Sequence, residues 1–215
     1  MAHPEYTTPR GIEERSFAII ESEVPEPRPF QGGEWAVARR ILHATADFEL
    51  LSLIRFHPEA VSSGLRALSQ GCLVLTDSNM TRAGITSGRM ERLGCTVRCD
   101  LDDPWVKEEA ASQNRTRSAL AVRKAAGDIA GAVFVVGNAP TSLNELLDLC
   151  AEQPVHPRLI VGLPVGFVGA AEAKERLLEQ QDIPFITLIG RKGGSSAAAA
   201  AVNGLAELAL EGLNK

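Results

Sequence analysis

The chain has 215 residues, a net charge of −5, 45% apolar and 23% charged residues, a balance typical of a globular protein and not of a disordered one. That negative charge, with only 5% aromatic residues, argues against a nucleic-acid surface, which needs cations and stacking platforms. No apolar run is long enough to span a bilayer and no N-terminal signal sequence is apparent, so a cytoplasmic protein off the membrane is expected.

At this length a single domain can bury roughly 70% of its unfolded surface, and one domain over residues 1–215 is expected. Residues 1–10 contain Pro4 and Pro9 with little apolar material, and read as a mobile lead-in. Ile12, Phe17, Ile19 and Ile20 suggest a short helix, which Pro25, Pro27 and Pro29 interrupt. Glu34–Arg55 reads as one long helix, with Trp35, Ala38, Ile41, Leu42, Thr45 and Phe48 at helical spacing. Pro58 suits a first helical turn, with Val61, Leu65 and Leu68 on one face and Gly71 as the stop.

The pattern then changes. Five short apolar runs follow: Cys72–Thr76, Cys95–Cys99, Ala132–Val136, Leu159–Leu163 and Phe185–Ile189. Runs of Leu, Ile and Val without polar alternation suit strands covered on both faces. Each leads through a loop into a helical stretch, which implies βαβ units and a parallel sheet. The Ala-rich segment from Ser195 begins a last helix that continues through Val202, Leu205, Leu208 and Leu210. The expectation is a doubly wound α/β fold with a mainly parallel five-stranded sheet and a helical N-terminal segment.

Ligands of such sheets bind beyond the carboxyl ends of the strands, so the following loops matter most. They are Thr76–Met80, Gly137–Thr141, Pro164–Gly169 and Gly190–Ser195. The last combines glycines, two cations (Arg191, Lys192) and a helix start, which is chemically an anion site; it is equally an ordinary turn with solvated cations. No phosphate-loop, dinucleotide or nucleophile-elbow motif is present. The four cysteines fit no zinc pattern and no C-x-x-C, and are expected to be reduced. Seventeen of the 22 cationic residues are Arg, reflecting either composition bias or a site that grips carboxylates.

Among the histidines, His3 lies in the lead-in, and His57 and His156 each precede a proline in turns. His43 differs. On a continuous helix it shares a face with Arg40 and Asp47, and an acidic neighbour can orient an imidazole and favour its protonated form. Spacing alone leaves open whether it is functional or an incidental polar residue.

Several segments, in order, resemble one family. They are Ile12–Ile20 (IEERSFAII), His43–Phe48 (HATADF), Thr76–Met80 (TDSNM), Thr116–Ser118 (TRS), Gly137–Thr141 (GNAPT), Gly162–Glu172 (GLPVGFVGAAE) and Gly190–Ser195 (GRKGGS). Together they are similar to precorrin-8X methylmutase, over residues 12 to about 205. The resemblance implies a three-layer flavodoxin-like fold, a homodimer, and an isomerase of cobalamin biosynthesis. That reaction moves a methyl group from C-11 to C-12 of a corrin precursor, giving hydrogenobyrinate, or cobyrinate when cobalt is already inserted. It implies no cofactor and no protein metal site, since any cobalt arrives within the macrocycle.

The resemblance places the catalytic histidine at His43 and a substrate-contacting serine at Ser16. Arg15, Arg117, Arg191 and Lys192 are expected to meet the substrate's carboxylate arms. Thr86, Asn138 and Gly193 complete the expected substrate-binding set. The Thr-Ala-Asp-Phe after His43 and the Lys of Gly-Arg-Lys-Gly-Gly-Ser look closer to the branch that handles cobalt-precorrin-8. Two rivals remain: a phosphate- or nucleotide-binding enzyme on the same fold, and a non-catalytic corrinoid carrier.

Overall fold

A computed structural model describes residues 8–153 and 156–213; most of the expected lead-in, with His3, lies outside them. The first helix, α1 (Pro9–Glu23), starts inside that lead-in: Thr8 caps it by accepting from the Gly11 N–H, and Pro9 stands at its first turn. The proline-rich turn then leads into α2 (Gly32–Thr45).

Here the structure departs from the expected long helix. Ala46 takes a left-handed conformation (φ 51°) and closes α2 through its N–H to the Leu42 carbonyl. Asp47 then accepts from the Glu49 N–H, a local turn that competes with helix continuation. A single turn, α3 (Leu50–Leu53), leads into a strand, β1 (Ile54–Phe56). Apolar residues keep recurring through this stretch, which has no glycine or proline, so periodicity gives no sign of the break.

The remaining elements alternate: α4 (Ala60–Ser69), β2 (Leu73–Thr76), α5 (Asn79–Gly84), α6 (Ser87–Arg92), β3 (Thr96–Arg98), α7 (Pro104–Ser112), α8 (Arg117–Lys124), β4 (Val133–Val136), α9 (Pro140–Glu152), β5 (Leu159–Gly162), α10 (Ala170–Glu179), β6 (Phe185–Leu188) and α11 (Ser195–Leu213). Pro58 sits in the turn before α4, not within it.

The sheet has six strands, not five, in the order β1-β6-β5-β4-β2-β3. All five expected strands are present and parallel; the addition is β1, which pairs antiparallel with β6 through Ile54 opposite Leu188. Successive strand side chains enter opposite cores. Val133, Val135, Leu159 and Val161 face the side of α2, α4 and α11. Phe134, Val136 and Ile160 face α9 and α10. Burial on both faces explains why the strands read as unbroken apolar runs. Among the described residues no helix is long and apolar enough to cross a membrane.

Strand order reverses between β2 and β4, where this architecture usually holds a ligand. Here a side chain fills the crevice. The buried Asp77 carboxylate accepts from the N–H groups of Gly137 (3.0 Å), Asn138 (2.8 Å) and Ala139 (2.7 Å), and from the Thr81 hydroxyl (3.2 Å). Three backbone donors that could cradle an anion are therefore satisfied internally. Asp77→Ala strands these donors and is expected to lower unfolding free energy by about 3 kcal/mol. Urea denaturation reads the loss, and formate should restore stability better than chloride at equal ionic strength.

Candidate active site

His43 lies in the last turn of α2 and is half-buried. Its ring packs against Phe17 of α1, with centroids 5.2 Å apart and planes tilted by 57°. Phe17 in turn lies under two guanidinium groups, Arg39 at 4.3 Å and Arg40 at 5.1 Å. Among the described residues no hydrogen bond reaches either nitrogen of the His43 ring.

Three hollows surround this end of α2. The first, about 260 Å³, is mainly apolar and lined by Ser16, Ile19, Ile20, Leu42, His43, Ala46 and Phe48. The second, about 240 Å³, lies between α2 and α11 and is lined by Arg40, His43, Ala44, Gly84, Ser196 and Asn203 among others. The third, about 390 Å³, shares Ala44 and Ser196 with the second and reaches Asp47, Val165, Lys192 and Gly193. His43 therefore stands on the wall common to the first two hollows.

The expected partner of His43 does not reach it. Because α2 ends at Thr45, Asp47 leaves the helical face and pairs with Lys192 Nζ at 2.6 Å. The hydrogen bond from Lys192 holds the Asp47 carboxyl below its ordinary range. The acid whose field His43 shares is Glu13, on α1. Burial raises its pKa, but the hydrogen bond and charge of Arg40 outweigh this, with Arg89 and His43 adding to the lowering. Arg40 is buried, binds Glu13 at 2.8 Å and also pairs with Glu207 of α11. It ties three helices together behind the histidine, a role that its spacing from His43 did not reveal.

The other expected site residues separate into two groups. Ser16 shares the first hollow with His43, and its hydroxyl donates to the Ile12 carbonyl at 2.8 Å, leaving the oxygen able to accept. Thr86 stands behind the second hollow: its N–H donates to Oδ1 of the lining residue Asn203 at 2.9 Å, while Asn203 Nδ2 donates to the Gly84 carbonyl. Asn203 thus fixes this rim, and sequence reading missed it because it lies inside an apolar helical run. Lys192 and Gly193 line the third hollow.

Lys192 is no free cation. Its ammonium contacts both Asp47 and Glu49 at 2.6 Å, and these hydrogen bonds raise its pKa. Gly193 is required by close backbone approach: a Cβ there would stand 2.3 Å from the Leu163 carbonyl oxygen. Arg191 is exposed, with its guanidinium 5.7 Å from the Phe167 ring centre.

The second group lies apart from the hollows. Arg15 is exposed on α1 and lines none of them. Arg117 lies toward the β3 side of the sheet, 3.6 Å from Asp102. Asn138 is exposed, with its N–H committed to Asp77. The remaining described histidines fit turns: His57 Nδ1 accepts from the Glu59 N–H, and His156 is exposed. All four cysteines are free thiols.

The arrangement offers a large open trough, apolar at one end and polar at the other, with an imidazole between and cations at the rim. That suits a bulky, partly apolar ligand with carboxylate arms. Arg40→Met removes the cation shared by Glu13 and Glu207 and is expected to cost about 3 kcal/mol in denaturant unfolding. With the Glu13 pKa lowered in the folded state, the pair's contribution is full above pH 4.5 and disappears as pH falls below it. Wild type should show that acid-limb loss of stability more steeply than Arg40→Met.

Comparison with known proteins places the chain in a family. The family described as CbiC: Precorrin-8X methylmutase matches residues 11–208. A cobalt-precorrin-8 methylmutase of Priestia megaterium is 42% identical over 205 residues, covering 95% of this chain and 90% of that protein. A precorrin-8X methylmutase of Sinorhizobium sp is 42% identical over 207 residues, covering 94% and 98%. The crystal structure titled as precorrin-8x methyl mutase from Thermus thermophilus superposes with a TM-score of 0.87 at 42% identity, covering 94% of this chain and 97% of that one. The chain belongs to the precorrin-8X methylmutase family, a family of isomerases acting in cobalamin biosynthesis.

Proposed function

We propose that this chain moves the methyl group on C-11 of a precorrin-8 macrocycle to C-12, with His43 as the proton donor. The observation that carries the proposal is the histidine's position: its ring lines two hollows and, among the described residues, spends neither nitrogen on a hydrogen bond. In the rearrangement the C-11–methyl bond breaks as the C-12–methyl bond forms, so no nucleophile, oxidant or external methyl donor is needed. A proton lent by His43 to a ring nitrogen draws electron density through the conjugated system and returns when the product forms. Only stabilisation greater in the transition state than in the bound substrate speeds the step.

The other expected residues take roles consistent with their places. Ser16 accepts or donates at the macrocycle edge beside His43. Gly193 lines the third hollow, Thr86 holds the Asn203 that lines the second, and Arg191 meets a carboxylate arm. Lys192 acts chiefly by holding the segment after α2 in place through Asp47 and Glu49. Arg15, Arg117 and Asn138 serve arms that extend beyond the trough.

The five parallel strands run in the order 2-1-3-4-5 when counted along the chain, which supports a flavodoxin-like reading of the fold. A cytoplasmic homodimer is part of the same proposal. Phe167 and Val168, 86% and 88% exposed beside the site, support a surface covered by a second copy. No cofactor is required, and cobalt, where present, travels in the substrate. The HATADF and GRKGGS segments support the cobalt-loaded substrate.

The rivals meet specific obstacles. Asp77 fills the crevice in which a nucleotide phosphate would sit. A mere carrier leaves the His43 ring without a task.

His43→Ala is expected to bind substrate normally and rearrange it at least about 10²-fold more slowly; unaltered single-turnover rates would remove His43 from the mechanism. Arg191→Ala is expected to raise Kd with little change in the bound rate, read by titrating the substrate's visible absorbance. Wild type assayed against precorrin-8X with and without cobalt distinguishes converter from carrier and decides the preferred substrate.

A further inference from the structure

Lys174 is fully buried on α10, yet among the described residues no carboxylate partners it. Its ammonium donates to the Lys192 carbonyl oxygen at 2.6 Å. On α9, which packs against α10, Glu145 pairs with Arg115 and Arg123, Asp148 with Arg176, and Glu152 with Arg123. Strand β6, the other packed neighbour, carries Phe185, Ile186, Thr187 and Leu188, none of them charged. The acids of α10 itself, Glu172, Glu175 and Glu179, are exposed. The charges on the loop that Lys174 holds are Arg191 and Lys192.

A buried, unmatched cation is costly, so its location invites a functional explanation. Asp47 and Glu49 more than cancel Lys192 at the third hollow. The ammonium of Lys174, directly behind that loop, and the exposed Arg191 return the local balance to positive.

We propose that Lys174 is a positioning residue for the substrate's carboxylate arms, anchoring the Lys192 loop and supplying a buried positive charge behind it. The proposal rests on the reading that the third hollow receives those arms. Burial brings the Lys174 pKa down to about 8. Above that pH the group is neutral, and both the charge-assisted hydrogen bond and the field weaken. Substrate affinity should therefore fall as pH rises through about 8.

The test uses hydrogenobyrinate, the metal-free product, titrated by visible absorbance from pH 6.5 to 9.5 into wild type, Lys174→Met and Lys174→Gln. Glutamine keeps an N–H donor without the charge. Both variants are expected to bind about 5- to 10-fold more weakly than wild type at pH 7, with affinity flat across pH 8. A merely structural role would not remove that pH dependence. The wild-type melting temperature should also rise relative to Lys174→Met above pH 8, where folding no longer buries a charge.

Variants that bind as wild type does, with the same pH profile, overturn the proposal. Should both variants fail to fold, constant wild-type affinity between pH 7 and 9 overturns it. Wild-type conversion of precorrin-8X, with and without cobalt, is measured alongside. Absent conversion of both forms defeats the functional reading, whereas conversion without a Lys174 effect defeats this inference alone.

Discussion

The close approach of α11 to its neighbours is the constraint on which the site depends. Ser195 and Ala198 stand so near Gly137 that a Cβ there would lie 2.7 Å from Ser195 Cα. Gly84 meets Ala199 in the same way, and Gly204 meets the Val37 backbone. Alanine and glycine at these contacts bring helix backbones together where larger side chains would hold them apart. The result is that α2 lies against α11 with His43 at the carboxyl edge of the sheet. The second hollow is the gap left where the two helices diverge around Ala44, Ser196 and Asn203.

Electrostatics then fix what packing brings near. Arg40 joins α1, α2 and α11 through Glu13 and Glu207, and with Arg39 it brackets the Phe17 ring that supports His43. Lys192 closes the other side by pairing with Asp47 and Glu49 just beyond α2. Both sets use residues of types that bind anionic ligands, and both spend their charge within the protein. Arg191 and, from behind, Lys174 are left to set the sign of the field at the third hollow.

The internal carboxylate at the reversal of strand order explains why the trough is displaced from the customary crevice. Asp77 occupies the backbone donors between β2 and β4, so the space available to a ligand lies farther along the edge, between α2, α11 and the loops after β5 and β6. Those two loops are joined by the Gly194 N–H to the Leu163 carbonyl and the Gly166 N–H to the Arg191 carbonyl. Gly193 makes that junction possible by presenting no Cβ to the Leu163 and Pro164 carbonyls.

Much of this was legible in the amino-acid order. Unbroken Val, Ile and Leu runs marked the five parallel strands because both faces of the sheet are buried, and the family-like segments singled out His43 and Ser16, which the fold brings to one hollow. Local pattern failed at Ala46, where a residue with high helix propensity ends α2 in a left-handed turn, and the lost helical phase carried Asp47 away from His43 to Lys192. Lys174 left a faint sign, one cation on the stripe Ala170, Ala173, Leu177, but its carbonyl partner is 18 residues away. The sequence by itself determined the alternation of helices and strands and the five parallel strands. Which charges remain free for a ligand was decided only by tertiary structure, because ion pairs such as Lys192 with Asp47 join residues 145 apart and exist only once the chain has folded.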